Sequence, residues 1–228
     1  MSHTPVTLQA GSDVLTRTLR INEIFLSLQG ETTKTGLPTA FIRLTGCPLR
    51  CSYCDTEYAF HTGDKMTISQ IMQRIAAWRI RHITVTGGEP LAQKTCLDLL
   101  AHLCDEGYEV SLETGGAIDI STVDPRVMKI VDLKTPASGE STRNLYENLV
   151  WLRNPDQIKL VICNRGDYEW ARDLLQERRL HEVCEVLFSP SHGQMDARLL
   201  AEWLLEDRLP VRFQIQLHKY LWGNVPGK

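Results

Sequence analysis

The sequence predicts an α/β fold, an open and partial TIM-like barrel of about six parallel β-α units. Short apolar runs alternate with amphipathic helical patterns along the whole chain, as in repeated strand-helix units. Most of those runs are apolar enough to be buried on both faces, which implies a parallel sheet with right-handed crossovers. About six such units fall short of the eight that close a full barrel. The chain of 228 residues, 43% hydrophobic and 23% charged, suits a single well-buried domain.

Residues 1–19 contain Thr, Ser, Gln and Asp but no unbroken apolar core of a secretory signal, and are expected to form a flexible N-terminal extension. Strands follow at residues 21–28 and 39–44. Ile68, Ile71, Met72 and Ile75 keep the i, i+3, i+4, i+7 spacing of a helix. A strand at 82–86 leads to a second helix marked by Leu97, Leu100, Ala101 and Cys104, with Gly107 placed as its cap. Strands at 108–112 and 128–133 precede a helix at 144–152. The strand at 158–162, the helix at 168–176, the strand at 184–189, the helix at 197–206 and a strand at 212–216 complete the pattern. There is no repeat, low-complexity tract or linker, so residues 20–222 form one domain and 223–228 a tail.

A net charge of −3 offers no surface for nucleic acid, and Arg178-Arg179 reads as a solvated helix end. No apolar run approaches the roughly 18 residues of a membrane span. The expectation is a cytoplasmic protein with reduced thiols. Seven cysteines is an odd count, and three crowd into one loop, which argues for a metal over a disulfide framework.

Cys47, Cys51 and Cys54 form C-x3-C-x2-C, directly after the strand at 39–44 and Gly46, with Pro48 helping to hold the turn. Three thiolates so spaced can bind three irons of a [4Fe-4S] cluster and leave the fourth iron open. A structural zinc site with His61 as fourth ligand is the alternative, although such sites usually add a second close pair. Cys96, Cys104, Cys163 and Cys184 read as small core residues. With Tyr53 before the last cysteine, the loop resembles the signature of the radical S-adenosylmethionine (SAM) superfamily. That resemblance implies that SAM chelates the open iron and is cleaved to a 5'-deoxyadenosyl radical.

Thr86-Gly87-Gly88-Glu89-Pro90 ends the strand at 82–86. Two glycines allow a ligand close to the backbone, though an ordinary strand-to-helix turn would read the same way. Beside the cysteine loop it resembles the superfamily's GGEP motif, which implies that Gly88 and Glu89 hold the SAM amino group. Glu113, and the set Asp132, Leu133 and Lys134, stand at further strand ends. Taken alone they could be caps or surface charges. The resemblance implies that they contact SAM together with Tyr53 and Asp55.

Asn22-Glu23-Ile24-Phe25, Leu28-Gln29-Gly30-Glu31, Phe41-Ile42-Arg43-Leu44, Cys54-Asp55-Thr56 and Gln216-Leu217-His218-Lys219-Tyr220 together resemble the 7-carboxy-7-deazaguanine synthase family over residues 20–222. The resemblance implies conversion of 6-carboxy-5,6,7,8-tetrahydropterin to 7-carboxy-7-deazaguanine with loss of ammonia, in queuosine or other 7-deazapurine biosynthesis. It implies a [4Fe-4S] cluster, SAM, Mg2+, a flavodoxin-like or other reductant, and a homodimer. Leu28, Gln29, Gly30 and Glu31 would read the pterin, and Thr86, Gln216 and His218 would face it; outside the family, His218 would be structural. Arg43 would fork onto the substrate carboxylate, where a lone strand arginine would otherwise form a surface ion pair. Thr56 would bind Mg2+, where a lone threonine would otherwise be a turn or cap residue. Thr32 departs from the family's Leu-Gln-Gly-Glu-Gly. A glycyl-radical activase and a zinc-stabilised binding module are the rival readings.

Overall fold

The computed structural model describes residues 10–225 and 227–228. Nine strands form one open sheet: β1 Thr18–Leu28, β2 Pro38–Leu44, β3 Asp64–Thr67, β4 His82–Gly87, β5 Glu109–Thr114, β6 Met128–Asp132, β7 Gln157–Ile162, β8 Glu185–Pro190 and β9 Arg212–Phe213. Their order is β3-β1-β2-β4-β5-β6-β7-β8-β9, and every pairing from β2 to β9 is parallel. No helix among the described residues is long and apolar enough to cross a membrane.

The first expected strand is not part of the parallel set. β1 runs antiparallel to β2, with Leu28 opposite Pro38, because the segment between them is too short for a crossover and can only turn back. β1 also begins at Thr18, inside the stretch expected as an extension, and Leu19 is buried in the core. A short helix α1, Ala10–Thr16, precedes it; residues 1–9 of that expected extension lie outside the described residues. The edge strand β3 pairs antiparallel with β1 and had no sequence signal, its Asp64 and Lys65 being exposed.

α2, Ile68–Ala76, starts at a reciprocal cap: Gln70 N donates to the Thr67 hydroxyl, and Thr67 N donates to the Gln70 side chain. Ile68, Ile71 and Ile75 are fully buried. In α3, Cys96–Asp105, the most buried stripe is Cys96, Leu99, Leu100 and Leu103, one residue out of phase with the expected stripe apart from Leu100. α4 Arg165–Glu177, α5 Leu180–Val183, α6 Ala197–Asp207 and α7 Leu217–Trp222 follow.

The helix expected at 144–152 is replaced by 3-10 turns, Ser141–Arg143 and Tyr146–Trp151. Two asparagines explain the change. Asn148 accepts from Ile120 N and donates to the carbonyls of Gly116 and Ile118, while Asn144 exchanges hydrogen bonds with the backbone of Lys134. Their side chains serve neighbouring loops and draw the backbone away from helical geometry. The strand expected at 212–216 is assigned only over Arg212–Phe213; Gln214 N still donates to Phe188 O in β8, while its side chain donates to the Gly30 carbonyl and the chain turns into α7.

The segment after β1 turns inward. The Gln29 side-chain oxygen accepts the N–H groups of Gly30 and Glu31, and Thr33 exchanges two hydrogen bonds with Gln157 at the start of β7. Residues 29–37 therefore bridge the open barrel from β1 to β7 at the amino ends of the parallel strands. Gln29 and Thr32 are buried by this crossing.

Candidate active site

The carboxyl ends of the parallel strands and the inward loop face one cavity of about 420 Å³. Cys47, Cys51 and Cys54 are free thiols on its wall. Their loop is anchored from both sides. Gly46 N donates to Ala59 O, Gly46 O accepts from Glu89 N at 2.7 Å, and Ser52 is held on the turn at Ala137 and Ser138. A Cβ on Gly88 would run into the Gly46 carbonyl oxygen and stand 2.9 Å from the Cys47 Cβ. Gly88 is glycine because the two loops touch through backbone.

Burial pushes the Cys47 thiol up, and pushes Cys51 up to about 11 despite the nearby Lys134 ammonium. A metal held by these thiols as thiolates would displace their protons. His61 is exposed and takes no part in the cavity wall. Among the described residues, no three His, Cys, Asp or Glu side chains are grouped to hold one metal ion. The three sulfurs border the same cavity.

Tyr53, Asp55, Gly88, Glu113, Asp132 and Lys134 all border the cavity. Lys134 Nζ lies 3.2 Å from Asp132 Oδ2, while Asp132 Oδ1 and the Tyr53 hydroxyl are buried without a hydrogen-bond partner. Orphaned polar atoms of this kind are what a bound ligand satisfies. Glu89 and Leu133 do not face the cavity. Glu89 is fully buried and accepts hydrogen bonds from Leu91 N, Thr114 Oγ1 and Gly115 N, so it ties the β4 loop to the β5 loop. Leu133 is a core residue.

On the other wall, Leu28, Gln29, Gly30, Glu31, Thr86 and Arg43 border the same space, as do Gln216 and His218 from the start of α7. Gln29 Nε2 and Thr86 Oγ1 both donate to Glu113, at 3.2 and 3.0 Å. Burial raises the Glu113 carboxyl, against the opposing charge of Lys159. Gly30 lets α7 approach, since a Cβ there would lie 2.8 Å from His218 Nδ1. Burial lowers the His218 imidazole against the attraction of Glu31.

Arg43 lines the cavity and is also ion-paired: its Nε donates to Glu23 at 2.7 Å, and Tyr58 donates to the same oxygen. The ion pair expected of a lone strand arginine is present, and the side chain also borders the cavity. Thr56 precedes the turn Glu57–Phe60 without capping it, and its Oγ1 lies 3.8 Å from Cys54 Sγ on the cavity wall.

Sequence reasoning missed Lys159. Its Nζ lies 2.9 Å from Glu31 Oε2 and 3.3 Å from Asp132 Oδ2. Burial would raise the Glu31 carboxyl, but Lys159 and His218 hold it at about 2. The available signal was a lysine inside an apolar strand. Ser189 near the end of β8, Ser191 and His192 after it, and Asn224 and Lys228 in the tail also border the cavity and carried no motif.

Residues 41–133 match the Radical SAM superfamily, a span that holds the cysteine loop, the glycine loop and the end of β6. The 7-carboxy-7-deazaguanine synthase of Chlorobaculum tepidum is 47% identical over 208 residues, covering 90% of this chain and 94% of that protein. The chain belongs to the 7-carboxy-7-deazaguanine synthase family. The Koribacter versatilis member is 42% identical over 90% of this chain and 97% of its own. The crystal structure of QueE from Escherichia coli has the same fold, with a TM-score of 0.76 at 23% identity, covering 92% of this chain and 99% of that one. Membership of the radical SAM superfamily implies a [4Fe-4S] cluster and SAM, and the three thiols and the orphaned polar atoms fit both.

Proposed function

We propose that this family member converts 6-carboxy-5,6,7,8-tetrahydropterin to 7-carboxy-7-deazaguanine with loss of ammonia, and that the roles of its residues follow from the two walls of the cavity. The observation that carries this reading is the convergence of the cysteine loop, Glu31 and Arg43 on one cavity, in a chain 47% identical to a named synthase.

Cys47, Cys51 and Cys54 would hold the cluster, and the backbone of Gly88 with Tyr53, Asp55, Asp132 and Lys134 would hold SAM. When bound, the cluster and SAM supply the radical-initiating chemistry. The chain's own residues do the rest. Glu31, held ionised by Lys159, can accept two N–H donors of the pterin edge. Glu113 shares hydrogen bonds with Gln29 and Thr86, so we assign it to the substrate wall and not to SAM. Arg43 keeps its terminal nitrogens for the substrate carboxylate while Nε stays on Glu23. Thr56 offers Mg2+ one hard neutral oxygen, leaving the remaining positions to water and substrate. The inward loop and α7 exclude water from the space.

The test is anaerobic reconstitution followed by incubation with SAM, a reductant, Mg2+ and the pterin. The expected result is 7-carboxy-7-deazaguanine with ammonia, from protein carrying about four irons and labile sulfide per chain. About one zinc and no sulfide would refute the reading. Omitting Mg2+ should slow turnover, and Thr56→Ala should raise the Mg2+ requirement. Two partners belong to the same proposal: a flavodoxin-like reductant and a second copy of the chain, the latter tested by sedimentation.

A further inference from the structure

Lys159 is a charged side chain in the middle of β7, 8% exposed. It reaches carboxylates on two different walls. Glu31 comes from the inward loop after β1, and Asp132 from the end of β6, where it also meets Lys134. Glu31 and Asp132 pair with the Lys159 ammonium, and the charge of Glu113 adds to theirs in holding it protonated against burial.

Glu31 is held by the same geometry. Its Oε2 faces Lys159, while Oε1 accepts from Gln216 Nε2 at 3.0 Å and lies 3.8 Å from His218 Nε2. Lys159 on β7 and His218 on α7 are the basic groups facing it, with Glu113 on β5 as the neighbouring acid. His218 is itself kept towards neutrality by burial. Removing the ammonium would leave Glu31 with only Gln216 and His218 beside it, so its carboxylate would take up a proton more readily, whereas Asp132 would keep Lys134.

We propose that Lys159 is a positioning residue for this reaction, tying Glu31 to Asp132 so that the substrate-reading wall and the SAM-holding wall keep one fixed spacing. The inference rests on the assignment of Glu31 to the pterin and of Asp132 to SAM given under Proposed function. Lys159 itself need touch neither ligand. It keeps Glu31 an ionised acceptor in one orientation, and it makes the site sensitive to both ligands through one ammonium.

The experiment compares wild type, Lys159→Met, Lys159→Arg, Glu31→Gln and the double variant, each full-length and reconstituted, with SAM, Mg2+, dithionite and 6-carboxy-5,6,7,8-tetrahydropterin. Lys159→Met should keep its iron and sulfide, raise KM for the pterin by about 10- to 100-fold, and change kcat less. The acid limb of its kcat/KM profile should move up by about one pH unit or more, and Lys159→Arg should recover much of the KM. A purely structural lysine would lower thermal stability and leave the pH profile in place. Should Lys159→Met not fold, the double variant removes both charges; its KM should equal that of Glu31→Gln alone, since the two residues act as one unit. Unchanged KM and pH profile in Lys159→Met, or additive losses in the double variant, overturn the inference. A wild type that forms no product overturns the functional reading beneath it.

Discussion

Each cysteine of the loop is partly exposed and packs little of the core, so its loss should be chemical and not structural. Cys51→Ser is expected to fold with a melting temperature close to wild type, while reconstituted iron and sulfide fall and product formation is lost. Metal analysis of the purified variant, with a thermal melt of the apo-protein, checks both halves. Glu31 carries the main acid-stability prediction. Its folded carboxyl sits at about 2 against an ordinary 4.5, because Lys159 and His218 outweigh burial. A lowered carboxyl stabilises the fold above its ordinary value, and that stabilisation is lost as pH falls through the folded value. Acid unfolding of the apo-protein should therefore steepen between pH 4.5 and about 2. Glu31→Gln should flatten that stretch, and an unchanged slope would count against the ion pair.

At the level of elements, two glycines with different surroundings separate contact from conformation. Gly88 is pressed against the Gly46 carbonyl and Cys47, whereas Gly107, after α3, has a φ of +82° and open space within 4 Å of where a Cβ would stand. Gly107→Ala should cost about 1 kcal/mol of left-handed strain and keep full iron loading. Gly88→Ala must displace the backbone that presents Cys47. Its iron retention after desalting should drop well below that of Gly107→Ala, even where the urea midpoints are similar. Equal iron retention in the two variants would mean that the loops do not need their backbone contact. The same elements show why the 144–152 segment departs from its helical pattern: Asn144 and Asn148 answer backbone groups outside their own turn.

At the level of the whole molecule, the sheet is open and its ends are thin. β3 has four residues and β9 has two, while β4, β5 and β7 lie inside the sheet with Val85, Leu112, Ile158 and Leu160 fully buried. Native-state hydrogen exchange should therefore be slowest in β4, β5 and β7 and fastest in β3 and β9. Loss of protection in β4 ahead of β9 would contradict this ordering. The loop after β1 and the start of α7 touch at Gly30 and both border the cavity, although nearly two hundred residues separate them in sequence, so substrate binding should slow exchange at both segments together.

Local sequence determined the strand-helix alternation, the cysteine and glycine loops and the strand-end position of Asp132 and Lys134, because each depends on neighbours a few residues away. A short connection after residue 28 even contained the antiparallel turn of β1, though the apolar pattern alone concealed it. Tertiary structure decided which way side chains face and which distant groups meet. Glu89 lies in a recognisable motif, yet its carboxylate turns inward to three donors from its own turn and the end of β5. Lys159 lies in an apolar strand, yet meets Glu31 from the far side of the sheet. Spacing along the chain records local geometry, whereas a buried charge finds its partners only when the sheet curves and the loop after β1 crosses it.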